Sequence, residues 1–135
     1  MKNIDSFSRN TKFQHSKMSL FSFQINFEKF KMPKNVFENV SRIIADSLSQ
    51  DPDYVNGTLV DQVNLSWRGS SEPMVFLTIQ TVRILDAKLN QSCIEALYKF
   101  LTSVLDIPED RIIVYFTEKV LSDVAIDGSL LLSSS

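Results

Sequence analysis

Cysteine, glycine and proline are scarce in this 135-residue chain, which holds 1 Cys, 3 Gly and 4 Pro. The single cysteine, Cys93, excludes a framework of internal disulfides, and no Cys/His grouping has metal-ligand spacing, so no metal or other cofactor is expected. Cys93 itself is expected to pack on a helix face. So few Gly and Pro leave little room for long linkers, and with 44% hydrophobic residues the chain can bury the ordinary core of one domain. An excess of positive charge is also missing. The formal net charge is -2 and the pI is near 5.3, without a basic patch, which argues against a nucleic-acid partner. No stretch is apolar and long enough to span a membrane, and residues 1–17 lack the apolar run of about seven residues that a secretory signal needs.

Those first 17 residues are polar, with Lys2, Arg9, Lys12 and Lys17 against one acid, Asp5. They are expected to form a flexible basic arm. A mitochondrial presequence, with Ile4, Phe7 and Phe13 as its apolar points, is the alternative. His15 in this arm has no catalytic partner near it in sequence and is expected to be idle. The domain is expected over 18–131, followed by a Ser-rich tail over 132–135.

What the sequence does contain is a repeat. The stretch Trp67-Arg68-Gly69-Ser70-Ser71-Glu72-Pro73 separates two strand–helix–strand halves. The first runs from Leu20–Ile25 through a helix opened by Pro33, whose fixed φ suits a first turn, to a second apolar segment at Asp61–Trp67. In that helix Val36, Phe37, Val40, Ile43, Ile44 and Leu48 make one apolar stripe. The second half runs from Met74–Val82 through a helix capped near its start by Asp86 to Arg111–Thr117. Ile94, Leu97, Tyr98, Leu101, Val104 and Leu105 repeat the helical period, and Pro108 lies just beyond the end. Each crossover of this length brings its two strands together in parallel. The fold class is therefore α/β (α+β), with four main strands and two helices. With both helices on one face, the other face would expose Phe23, Ile25, Val75 and Leu77 or their alternate neighbours, and oligomerisation would cover them.

Phe21 with Asn26, Pro33, Pro52 with Tyr54, Gly69-Ser70-Ser71-Glu72-Pro73, Asn90 with Ser92, and Ile107 followed by Asp110-Arg111 resemble the macrophage migration inhibitory factor and D-dopachrome tautomerase family. The resemblance runs without a gap from Met18 to about Leu131. It implies two βαβ units forming a four-stranded sheet with two helices on one face, assembled as a homotrimer. It further implies keto–enol tautomerisation of phenylpyruvate- or dopachrome-like substrates, and for animal members cytokine action through cell-surface receptors. Cytoplasmic residence, with release from cells without a signal peptide, is implied as well.

The family's reaction uses an amino-terminal proline as general base, and this chain departs from that. The matching position is Ser19, inside the peptide after Met18. An amide nitrogen has its lone pair delocalised into the carbonyl and cannot take a proton from carbon. Gln50 stands where a pocket lysine would hold the substrate carboxylate. Ile113 and Tyr115 stand where the resemblance implies a tyrosine and an asparagine from the neighbouring subunit. Val82 and Tyr54 keep the apolar lining, whereas Ile126 and Leu131 replace aromatic residues. Met74 and Leu77 occupy the places of a Cys-x-x-Cys. Arg83, beside Val82, is a candidate anion contact, though an exposed Arg at a strand end is more often only solvated. Trp67 is expected to pack at a strand end and Glu72 to shape the turn into the next strand.

Three functions follow from these residues. The first is a protein acting through protein–protein contact, cytokine-like or regulatory, with its tautomerase site dismantled. The second is a tautomerase formed when processing or initiation exposes the Ser19 amine, whose unperturbed pKa is about 7.7–8.0. The third is a regulatory subunit in mixed trimers with an active paralogue.

Overall fold

The computed structural model describes residues 18–82, 86–119 and 123–130. The basic arm with His15, the tail, Arg83 and Leu131 lie outside the described residues. The order of elements is β1 (Met18–Ile25), α1 (Val36–Leu48), β2 (Val55–Val60), β3 (Val75–Val82), α2 (Ala87–Leu105), β4 (Ile112–Glu118), then a short hairpin of β5 (Ala125–Ile126) and β6 (Ser129–Leu130). The main sheet runs β2-β1-β3-β4. Its outer pairs, β1/β2 and β3/β4, are parallel, and the central pair β1/β3 is antiparallel. Two βαβ units thus meet along β1 and β3, as the repeat predicts.

Strand alternation sets the two faces. Phe21, Phe23 and Ile25 of β1, with Val75, Leu77 and Ile79 of β3, join Val36, Val40, Ile44 and Leu48 of α1 and Cys93, Leu97 and Leu101 of α2 in one core. Fully burying each large apolar side chain of this set is worth about 1.5–3 kcal/mol. Phe37 and Val104 lie at the edges of their stripes and are 40% and 39% exposed. The ring of Phe37 still reaches Phe21 and Phe23, at centroid distances of 5.7 and 6.3 Å. Gly57 stands opposite Phe21 in the register. A Cβ there would come within 2.0 Å of the Phe21 ring, so the ring fits only because this position has no side chain.

The other face is mixed rather than apolar. Phe23, Ile25, Val75 and Leu77 all point to the helices, and their alternate neighbours are Ser22, Gln24, Thr78 and Gln80 beside Leu20, Phe76 and Tyr115. Phe76 and Tyr115 pack edge to face at 5.4 Å.

Two expectations need correction. The second strand is Val55–Val60, and 61–66 is loop. The segment that pairs with β1 begins at Val55, directly after the 3-10 turn Pro52–Tyr54; Asp61–Trp67 alternates likewise but meets β1 only near its end, where Gln62 N donates to Phe27 O at 3.2 Å and Val63 N to Ile25 O at 3.0 Å, and it is not part of the sheet. Helix α1 starts at Val36 rather than at Pro33, whose carbonyl accepts from Val36 N at 3.1 Å in the turn leading in. Trp67 stands in the connection between β2 and β3. It bridges Ser70 in a tight turn whose central residues, Arg68 and Gly69, have φ of 53° and 74°, the signs a type I′ turn requires. The Arg68 guanidinium lies 5.5 Å from the Trp67 ring centroid. At α2, Asp86 caps as expected, its carboxylate accepting from Lys88 N at 2.9 Å and Leu89 N at 3.2 Å.

Candidate functional site

Ser19 is the second residue of β1. It pairs with Val55 on one side and Thr81 on the other, so the chain passes through this position as an interior strand. Alternation sends its side chain toward the helices. There the left-handed turn at Ser49, φ 56°, ends α1 and reverses the chain, and Gln50 N bonds back to Ala45 O at 2.9 Å. This turn delivers the Gln50 amide onto the sheet. Ser19 Oγ donates to Gln50 Oε1 at 2.7 Å, and Gln50 Nε2 donates to Thr81 Oγ1 at 3.3 Å. Ser19 and Thr81 are wholly buried and Gln50 is 8% exposed. The three side chains form a neutral line of two hydrogen bonds. Nothing in it is charged, and the Gln50 amide is used inside rather than offered to a ligand.

Thr81 was not singled out in the sequence. Its signal is there, because it continues the inward row Val75, Leu77, Ile79, and a hydroxyl in such a row must find a partner.

On the opposite face Met18 and Val82 stand across from each other. Both are buried, and Tyr54, Val124 and Ile126 pack against the pair. Tyr54, Val82 and Ile126 are thus brought together. Next to them is a hollow of about 250 Å³ lined by Met18, Leu20, Gln80, Val82, Lys119, Asp123, Val124 and Ala125. Lys119 is tied to the sheet through its N–H, which donates to Thr81 O at 2.9 Å.

Ile113 and Tyr115 are not brought to this place within one chain. Glu118 is the residue opposite Thr81; Tyr115 and Ile113 lie three and five positions back along β4, about 10 and 17 Å at the rise of a strand. Arg83 and Leu131 fall outside the described residues. Among the described residues, no group of three or more His, Cys, Asp or Glu could hold a metal ion, and no helix is long and apolar enough to cross a membrane.

Glu72 and its neighbours form a structural clamp. Arg111, 8% exposed, aims its guanidinium at four carbonyls: Trp67 at 2.9 Å, Ser70 at 3.2 Å, Glu72 at 2.6 Å and Pro73 at 3.5 Å. From the other side Asn26 Nδ2 donates to the carbonyls of Ser71 and Glu72, at 3.0 and 2.9 Å, and its Oδ1 accepts from Met74 N at 2.8 Å. It is the Glu72 backbone that is used. The rigid fork of an Arg suits such a set of acceptors better than a lysine would.

The family described as macrophage migration inhibitory factor (MIF) matches residues 18–132. A macrophage migration inhibitory factor homolog of Brugia malayi is 25% identical over 112 residues, covering 83% of this chain and 97% of its own. The structure of the macrophage migration inhibitory factor from Trichinella spiralis superposes with a TM-score of 0.74 at 23% identity, covering 82% of this chain and 98% of its own. That of a homologue from Prochlorococcus marinus gives 0.75 at 22% identity, covering 83% and 98%. These two likenesses show a shared fold, and with the match over 18–132 they lead to one conclusion: the chain belongs to the macrophage migration inhibitory factor family.

Proposed function

We propose that this protein acts through protein–protein contact, in cytokine-like signalling or regulation, and that its tautomerase site is silent. The observation that carries this reading is the position of Ser19. Its nitrogen belongs to a peptide bond inside a strand paired on both sides, and its hydroxyl is spent on Gln50. A general base must take up a proton near working pH; the amide pair is delocalised into the carbonyl, and a neutral hydroxyl is far too weak a base. The chemistry also wants a cation for the substrate carboxylate, and Gln50 supplies none.

A homotrimer is part of the proposal. Ile113 and Tyr115 lie far along β4 from their own Ser19, which favours an assembly in which a second copy brings them to the cleft. The same distance supports the mixed-trimer reading, in which Ile113 and Tyr115 of this chain would impair the site of an active paralogue. Co-expression followed by native mass spectrometry tests that reading.

The deciding experiment is phenylpyruvate tautomerisation by three proteins: the full chain, a form starting at Ser19, and that short form carrying Ser19→Pro. Silence in the full chain with activity in the proline form supports a fold left intact and a base removed. Turnover by the full chain would sink the proposal. Activity in the unmodified short form instead selects the tautomerase exposed by processing.

A further inference from the structure

The cleft beside β1 is not open along its whole length, because Met18 sits in it. Met18 and Val82 are 4% and 5% exposed, and the residues packed against them, Tyr54, Val124 and Ile126, include rim positions assigned to the substrate pocket by the resemblance. A thioether side chain occupies the apolar space that this rim would otherwise present. We propose that Met18 is a built-in occupant of the cleft, an autoinhibitory contact that excludes small aromatic ligands by bulk alone. This rests on reading the cleft as the family's pocket, and it is independent of the state of the Ser19 nitrogen.

Several features suit Met18 to this place. An unbranched thioether adapts to an irregular apolar gap and makes favourable contacts at aromatic rings. Strand alternation puts its side chain on the same face as Leu20, toward the hollow and away from the Ser19–Gln50–Thr81 chain. Its backbone is in register with Val82, so the central ladder fixes the point from which its side chain reaches the gap. A residue ahead of Ser19 exists only while the chain continues upstream. The same continuation therefore acylates the nitrogen and supplies the plug, and cutting the chain before Ser19 would remove both obstacles at once. Lys119 and Asp123 both line the adjoining hollow, one charge of each sign, so its wall carries no net charge and an uncharged ring is the fitting probe.

The test uses the full chain with labelled methyl groups and phenol as the probe. Met18→Ala should show saturable phenol-induced shifts at Val82, Val124 and Ile126, with none at Ile44 in the core, and a melting temperature that rises with phenol. The unsubstituted protein and Met18→Leu, which refills the space, should show neither effect. Equal saturable shifts in the unsubstituted protein and Met18→Ala would overturn the proposal, as would a folded Met18→Ala that shows none. Should Met18→Ala fail to fold, the smaller truncation Met18→Val is titrated and read in the same way. Both variants keep the amide at Ser19, so the titration decides the plug whichever way the phenylpyruvate assay falls.

Discussion

The neutral chain at the site can be taken apart with two substitutions. Ser19→Ala removes a donor 2.7 Å from Gln50 Oε1 and leaves that oxygen with little water to replace it. Stranding a buried acceptor costs about 1–3 kcal/mol. Gln50→Leu removes both hydrogen bonds and strands the hydroxyls of Ser19 and Thr81, both wholly buried, at a similar or larger cost. Combining the two changes pairs an apolar Ala with an apolar Leu, leaving only the Thr81 hydroxyl without its donor. Exchanging both partners for apolar groups is close to neutral, so the double variant should lose less than the sum of the single losses. The expected coupling is about 1–2 kcal/mol, inside the usual range for residues in one network. Urea unfolding at one fixed protein concentration measures it, with the slope m unchanged across the four proteins. Single losses under about 0.5 kcal/mol that simply add would refute the reasoning, because the hydrogen bonds would then not be what holds Gln50 against the sheet.

Gly57→Ala should cost about 1–3 kcal/mol through overpacking, since its Cβ would enter the Phe21 ring; thermal unfolding reads the loss, and Phe21→Leu in the same chain should recover part of it. Arg111→Met should cost about 2–3 kcal/mol as a buried network of charged hydrogen bonds is lost, and amide exchange at Trp67 and Ser70 should quicken; unchanged exchange there would contradict the clamp. Burial raises the Tyr98 phenol above its ordinary value of 10.0, with a smaller contribution from the negative charge of Glu109. The folded state therefore holds that proton more tightly, so this stabilisation is complete below the unfolded value and is lost as pH rises through the folded one; Tyr98→Phe should flatten the alkaline limb of a stability–pH curve. Asp61 is shifted the other way, below 3.8, chiefly by accepting from Lys29 N and then from the Gln62 side chain. Its contribution is present above the unfolded value and fades as pH falls through the folded one, and Asp61→Asn should remove that acid-limb dependence.

How much of this was legible beforehand depended on which residues had to answer to one local rule. Both helices obeyed the 3.6-residue period, and in the second the cap at Asp86 and the end at Leu105 could be read directly, whereas Pro33 marked only the turn leading into the first. The second strand could not. Asp61–Trp67 alternates as well as Val55–Val60 does, and only the reach of β1, through the close fit of Phe21 over Gly57, decides between them. At the site, the sequence supplied Ser19 and Gln50 as positions but not their bond to each other, because residues separated by a whole helix meet only after the turn at Ser49 has formed. Met18 was readable as an extra residue ahead of Ser19, yet its place in the cleft depends on the alternation of a strand whose first residue it turns out to be.

The residues that made the family recognisable are mostly not those that would do chemistry. Asn26, Arg111 and the stretch from Gly69 to Pro73 hold one another through backbone carbonyls, a job indifferent to what happens at Ser19. A chain can therefore keep this clamp, the paired βαβ units and the core while the positions around Ser19 change to suit another use. Fold and site answer to separate constraints. The residues at Ser19 and Gln50, where the resemblance implies a proline and a lysine, are also compatible with folding: with Thr81 they form one hydrogen-bonded set in a buried place. A lysine at position 50 would have to bury an ammonium against two hydroxyls without a counter-charge, which burial disfavours. Gln50→Lys in the full chain should accordingly destabilise the fold without creating activity. Loss of stability together with a gain in phenylpyruvate turnover would mean that the Ser19 amide was never the obstacle, and that a base other than this nitrogen works in the cleft.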